Sequence, residues 1–215
     1  MISDYKKGVT MKIITISREF GSGGRELGKR LAETLGFDYY DQEILAEIAK
    51  NKGMDDSYVE RLLENQGWRD IPLTHHGSFG IFIQPVDVDV LLEQKRVIEE
   101  IAKVGRDCVI IGRNADAILS EYQPLSIFVC ADMESKIRRC KERAPKGENL
   151  TEKELIRKIK RVDKNRARTR EIITGGVWGE NKTYHFCINT ASWTIEDLTP
   201  ALAAFTKSWF ERSNR

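Results

Sequence analysis

Residues 12–35, KIITISREFGSGGRELGKRLAETL, join an apolar, β-branched run to a glycine-rich turn and then to an amphipathic pattern that starts directly after the glycines. This order predicts strand, turn and helix, and no other part of the chain constrains the fold as tightly. Gly21, Gly23 and Gly24 carry no Cβ to hold a backbone away from an anion. The free N–H groups of a helix's first turn would lie just beyond them. The expected product is a phosphate cradle. A standard P-loop follows its last glycine with Lys and then Ser or Thr; here Gly23 is followed by Gly24, Arg25 and Glu26. The place of a nucleotide site is present without its usual cation.

At 215 residues, 40% apolar and 32% charged, the chain has the composition of a soluble globular protein, either one domain or a core with inserted subdomains. Residues 1–10 hold no apolar targeting segment, and no later run approaches the roughly 20 apolar residues needed to cross a bilayer. A cytoplasmic protein with no membrane partner is expected. Cys108, Cys130, Cys140 and Cys187 have no zinc spacing, and three of them lie in strand-like runs, so they read as buried small hydrophobes. His75, His76 and His185 make a poor metal set.

Net charge is only +2, yet residues 136–170 hold 15 Lys or Arg against 5 Asp or Glu, leaving 20 against 28 elsewhere. Such a segment suits a solvated helix face, a nucleic-acid surface or a flap that closes over phosphates. It lacks the interleaved aromatic residues that stack on single strands, so no nucleic-acid partner is expected. A dinucleotide site is disfavoured too, because counting from Gly21 gives Gly23 and then Glu26 where G-x-G-x-x-G needs its third glycine.

Strand-like runs at 12–17, 38–41, 108–112, 125–131 and 184–190 alternate with helical patterns. They predict an α/β fold with a parallel sheet covered on both faces. Leu27, Leu31 and Leu35 form a helix stripe that Gly36 ends, Gly53 and Gly105 would end two more helices, and Ser57 with Glu60 and Thr151 with Glu154 have capping-box spacing. Ile195, Leu198, Leu202, Phe205 and Trp209 line a C-terminal helix that starts near Ile195 or at Pro200. Residues 51–106 form an excursion longer than a crossover needs, with Trp68, Phe79, Phe82 and Ile83 offering apolar surface. A lid or binding loop is expected there.

After the glycine turn come, in order, LGKRLAETLGFDYYD, CVIIGRNAD, SIFVCADMESKIRRCKER, KRVDKNRARTR and FCINTASWTIEDL. This series resembles the bacterial cytidylate kinases, specifically their divergent cytidylate kinase-like branch, over nearly all of the chain past Met11. The resemblance implies a three-layer P-loop nucleoside-monophosphate kinase fold with a five-stranded parallel sheet. It divides the chain into a tail (1–10) and one kinase-like domain (11–215). Within that domain lie a core (11–50, 106–144, 184–215), an acceptor-binding insert (51–105) and a basic helical lid (145–183). The activity implied is transfer of the γ-phosphoryl group of ATP, with Mg²⁺, to CMP or a related pyrimidine monophosphate.

By position, the resemblance makes Phe20, Gly21, Ser22, Gly23, Gly24, Arg25 and Glu26 the ATP phosphate loop. Asp41, Arg113, Asn114 and Asp163 match acceptor-binding positions, Arg161, Arg166 and Arg170 the lid arginines, and Arg139 a residue flanking the ATP base. Gly24, Arg25 and Asn114 stand where the family has Lys, Ser or Thr, and Asp, and Gln42 and Glu43 replace Thr and Gly.

Phosphoryl transfer is catalysed by holding donor and acceptor in line and neutralising charge on the moving group. In place of the Lys, Arg25 or Arg18 could supply a planar, permanently charged fork. Arg25 is the expected catalytic cation, beside Arg161, Arg166 and Arg170. Arg166 and Arg170, four residues apart, would share a helix face. Glu26 and Asp41 are candidate Mg²⁺ ligands, with a first-turn acid and an N-cap as their structural alternatives. Arg113 follows a strand end, where open α/β sheets bind ligands. The rival readings are a nucleotide-binding sensor with little catalysis and a kinase for another small acceptor. Nucleotides are the expected partners, and assembly into a homo-oligomer is left open.

Overall fold

The structure, a computed structural model, describes residues 11–41, 88–144 and 150–213. The features read at Gln42, Glu43, Gly53, Ser57 with Glu60, and Trp68 to Ile83, together with most of the insert, lie outside the described residues.

Strands β1 (Ile13–Arg18), β2 (Asp38–Tyr40), β3 (Cys108–Ile111), β4 (Leu125–Cys130) and β5 (Phe186–Asn189) pair in parallel in the order β2-β3-β1-β4-β5. The described helices are α1 (Gly24–Leu35), α2 (Val88–Lys103), α3 (Ala115–Ile118), α4 (Met133–Glu142), α5 (Glu152–Thr174) and α6 (Ile195–Ser213). Alternation along β1 sends Ile14 and Ile16 into a core shared with Leu27 and Leu31 of α1 and Leu202 of α6. Ile13 points the other way, to Val97, Ile98 and Ile101 of α2. With both faces covered, the strand has to be apolar throughout. The chain passes from β1 to β2 and β3 on one side and then crosses to β4 on the other, so strand order reverses at the carboxyl end of β1. Ligands of open α/β sheets bind in the crevice at such a point.

Two local expectations are corrected and one ambiguity is resolved. Residues 88–105 read as the end of the insert, yet α2 is a core helix, because Val97, Ile98, Ile101 and Ala102 recur at helical spacing and cover the sheet. Of the four free cysteines, only Cys108 and Cys140 are buried; Cys130 is half-buried, and Cys187 is exposed because β5 is an edge strand whose one buried residue is Ile188. The ambiguous start of α6 resolves to Ile195, with Pro200 inside the helix and Thr194 Oγ1 accepting the Asp197 N–H at 3.1 Å.

Most Lys and Arg side chains described in the basic segment are exposed, but four others fasten it to the core. Lys136, Arg139, Lys158 and Arg170 are buried, and Leu155 and Ile159 of α5 pack with Ile137 and Cys140 of α4 and with Phe20 from the glycine turn. The capping box read from the sequence opens α5: Thr151 Oγ1 accepts the Glu154 N–H at 3.3 Å, and Glu154 Oε2 accepts the Thr151 N–H at 2.8 Å. Thr151→Ala is expected to cost about 1 kcal/mol, read as a lower Tm. An unchanged Tm would mean that packing alone holds the helix start.

Candidate functional site

Between β1 and α1 the chain turns through Gly21 (φ 78°) and Gly23 (φ 83°), both in the left-handed region that favours glycine. Space demands glycine as well, since a Cβ on Gly23 would lie 2.6 Å from Ile195 Cδ1. The turn is braced from below. Glu19 N–H donates to Val129 O (2.9 Å), Phe20 N–H to Asp163 Oδ1 (2.7 Å), and the Ser22 hydroxyl to Glu19 O (2.8 Å). Thr190 Oγ1 donates to Ser22 O at 2.7 Å. The amides of Gly21, Gly23, Gly24 and Glu26, in contrast, donate to none of the described residues, and the first helical bond runs from Leu27 N–H to Gly23 O (2.9 Å). Orphan donors at the positive end of a helix are what an anion requires.

Arginines cluster around this turn, four of them near its open side or at the start of α1. The guanidinium of Arg18, the last residue of β1, reaches over Gly112, where an added Cβ would lie 1.6 Å from Nη1. It has no hydrogen-bond or ion-pair partner among the described residues. Burial lowers its pKa well below the ordinary value, and the charges of Arg166, Arg113 and Arg25 lower it further. Arg166 donates to Arg18 O (2.9 Å) and Asp163 Oδ1 (3.2 Å) and lies over the Phe20 ring (5.9 Å). Burial lowers the Arg166 pKa as well, against the pull of Asp163. Arg113 belongs to three consecutive left-handed residues, Gly112 (φ 70°), Arg113 (φ 59°) and Asn114 (φ 53°). For a non-glycine residue this costs on the order of 1 kcal/mol, and such outliers cluster at ligand sites. Buried Gln94 of α2 holds Arg113 from both ends: its Nε2 donates to Arg113 O (3.2 Å) and its Oε1 accepts from Arg113 Nη1 (3.4 Å).

The remaining arginine, Arg25, is turned elsewhere. Its side chain is 57% exposed and pairs with the buried Asp41 carboxylate at the end of β2 (Nη2–Oδ2 2.7 Å), which also accepts from the Tyr39 hydroxyl (3.2 Å). This pairing offsets the unfavourable placing of a cation at a helix N-terminus. It also changes the metal assignment. Glu26 is ion-paired with Arg30 (2.8 Å) and with Arg143. Burial would raise its pKa, but the two arginines outweigh burial and lower it. Asp41 and Glu26 are thus both bound to arginine, and among the described residues no group of three or more His, Cys, Asp or Glu could hold a metal ion.

The other expected site residues divide between the turn and the frame. Asp163, expected at the acceptor, faces the glycine turn instead; burial raises its pKa, against the opposing effects of the Phe20 N–H, Arg166 and Lys136. Lys136 Nζ bridges Glu19 (2.9 Å) and Asp163 (3.9 Å), tying α4 and α5 to the loop. Arg139, expected at the ATP base, spends its guanidinium on Thr190 O (2.6 Å), Trp193 O (3.1 Å) and Ser22 O (3.5 Å) and so braces the turn. Arg170 is paired with Asp116 Oδ2 at 2.6 Å, both side chains being 7% exposed, and it lies over the Tyr184 ring (5.8 Å). It anchors α5 to α3. Asn114 is buried as the N-cap residue of α3, and Arg161 is exposed on α5.

Of two further side chains at the site, the sequence set Arg18 second to Arg25 and did not single out Gln94. Arg18 had a usable signal: the pattern G-x-x-x-x-G-K starts with a glycine five positions before the last one, and counting back from Gly23 lands on Arg18. Gln94 had none, because only the fold brings α2 against Arg113.

A sequence model of the cytidylate kinase-like family matches residues 13–192. Among solved structures, an uncharacterized protein from Eubacterium ventriosum ATCC 27560 is 27% identical with a TM-score of 0.68, the match covering 92% of this chain and 99% of that one. Shikimate kinase from Bacteroides thetaiotaomicron (15% identity, TM-score 0.55, 92% and 99% covered) and a gluconokinase from Sinorhizobium meliloti 1021 (13%, 0.52, 95% and 96%) share the fold, that of P-loop kinases. No curated protein matches. No helix among the described residues is long and apolar enough to cross a membrane. The family match reaches from the first strand to the turn ahead of α6 and takes in the whole sheet; on it, the chain belongs to the cytidylate kinase-like family.

Proposed function

We propose that this protein is a phosphotransferase that moves the γ-phosphoryl group of ATP to a nucleoside monophosphate, foremost CMP or a related pyrimidine monophosphate. Membership of a kinase-like family supports phosphoryl transfer, with ATP and Mg²⁺ as the usual donor pair. The observation that carries the reading is local: amides of the turn that donate to none of the described residues lie beside Arg18 and Arg166, at the point where strand order reverses. Polyphosphate is the ligand that satisfies both.

In this reading the amides of residues 21 and 23–26 hold the phosphates of ATP, and Arg166 lies beside them. Arg113, kept in place by Gln94, receives the anionic group of the acceptor from the β3 side. The arrangement favours transfer by fixing the two reactants in line and by meeting developing charge with cations already in position. No step relies on a metal held by the chain. A cytoplasmic setting with nucleotide partners and neither nucleic acid nor membrane fits the same reading.

The test is to incubate the protein with ATP, Mg²⁺ and each nucleoside monophosphate in turn and to follow ADP. Arg113→Ala should raise the acceptor KM about tenfold or more, some 1.4 kcal/mol, with the KM for ATP nearly unchanged. Equal effects on both would move the acceptor pocket elsewhere. ATP binding without turnover on any acceptor would leave a nucleotide sensor, and turnover on a non-nucleotide acceptor would keep the enzyme class and change the substrate.

A further inference from the structure

Gly24 does not need to be glycine for the sake of its backbone. It opens α1 without a positive φ, where glycine is a poor helix former. Its absent Cβ matters for space: an added Cβ would lie 2.6 Å from Arg18 Cβ and 3.2 Å from Val129 Cβ. Gly112, on a different element, clears room for the far end of the same side chain. Two glycines thus make way for one arginine, and that arginine stands at the position of the first P-loop glycine.

We infer that Arg18 supplies from the start of the loop the phosphate-neutralising charge that a P-loop takes from a lysine at its end, and that Gly24 and Arg18 are the two halves of this exchange. The inference rests on the phosphate-loop reading above and deepens it. Arg25 is committed to Asp41, and Arg166 is shared between Asp163 and the Arg18 carbonyl. Arg18 has no such commitment among the described residues, and the charges nearest to it are mostly of its own sign. Crowding of like charge costs stability in the empty protein and is relieved by an anion. A planar guanidinium can also engage two phosphate oxygens at once, which an ammonium cannot.

The experiment titrates the full chain with inorganic tripolyphosphate by calorimetry and follows thermal unfolding with and without it. The wild type should bind. Arg18→Met should weaken binding about tenfold or more while raising the Tm of the ligand-free protein, whereas a purely structural arginine would lower it. Gly24→Lys alone should bind poorly, and Arg18→Gly combined with Gly24→Lys should restore binding. Arg18→Met binding like the wild type would overturn the role of Arg18, and Gly24→Lys binding like the wild type would overturn the exchange. A wild type that ignores tripolyphosphate would sink the phosphate-loop reading itself, a different failure.

Discussion

Gly112→Ala is expected to reduce turnover with ATP and the acceptor by about a hundredfold while leaving a folded protein. The two effects separate on physical grounds. Gly112 has φ 70°, so an alanine there carries the left-handed penalty of about 1–2 kcal/mol. The severe contact, 1.6 Å from Arg18 Nη1 to the new Cβ, involves the far end of a flexible side chain, which can swing away at small cost to the fold. Swinging away is what damages the site, because the guanidinium leaves the cluster above the turn. Displacement of a charged group by about an ångström in such a centre costs on the order of 10² in rate. The measurement is kcat beside Tm. Near-normal kcat with a lowered Tm would show that the position of Arg18 does not matter to the reaction.

The largest loss of stability should come from Asp116→Ala. Asp116 and Arg170 form a buried pair through one contact of 2.6 Å, and Asp116 Oδ1 and Arg170 Nε find no hydrogen-bond partner among the described residues. Removing one partner of a buried pair strands the other charge and costs about 3–5 kcal/mol. A lowered midpoint in urea with an unchanged slope would register it. Replacing both, Asp116→Leu with Arg170→Met, should recover most of the loss, since apolar pairs of similar volume substitute well for buried ion pairs. The double variant also decides what Arg170 does. As an anchor of α5 its removal leaves kcat within a few-fold, whereas loss of a catalytic arginine costs roughly 10³ or more.

These two residues show where reading the sequence succeeds and where it stops. The glycine turn, the five strands, α1 with its Gly36 stop and the capping box of α5 all follow from signals a few residues long: period, β-branching, glycine and a polar cap. Arg113 at its strand end was legible for the same reason. Arginine roles were not, because an arginine's role depends on which carboxylate reaches it. Arg25 meets Asp41 sixteen residues on, and Arg170 meets Asp116 fifty-four residues back. Asp163 reaches the Phe20 amide across 143 residues. Without those pairings, Arg25 next to the last glycine was the natural choice and Arg18 ranked behind it.

Local pattern alone was thus enough to establish an α/β sheet with a glycine turn and a helix after its first strand, since backbone geometry and burial are set by near neighbours. How the arginines are disposed around that turn was decided by folding: Asp41 drew Arg25 away, Asp116 took Arg170 into the core, and Gly24 with Gly112 left the space that Arg18 fills. Charge acts through space, and only the folded chain brings these charges within a few ångströms of one another.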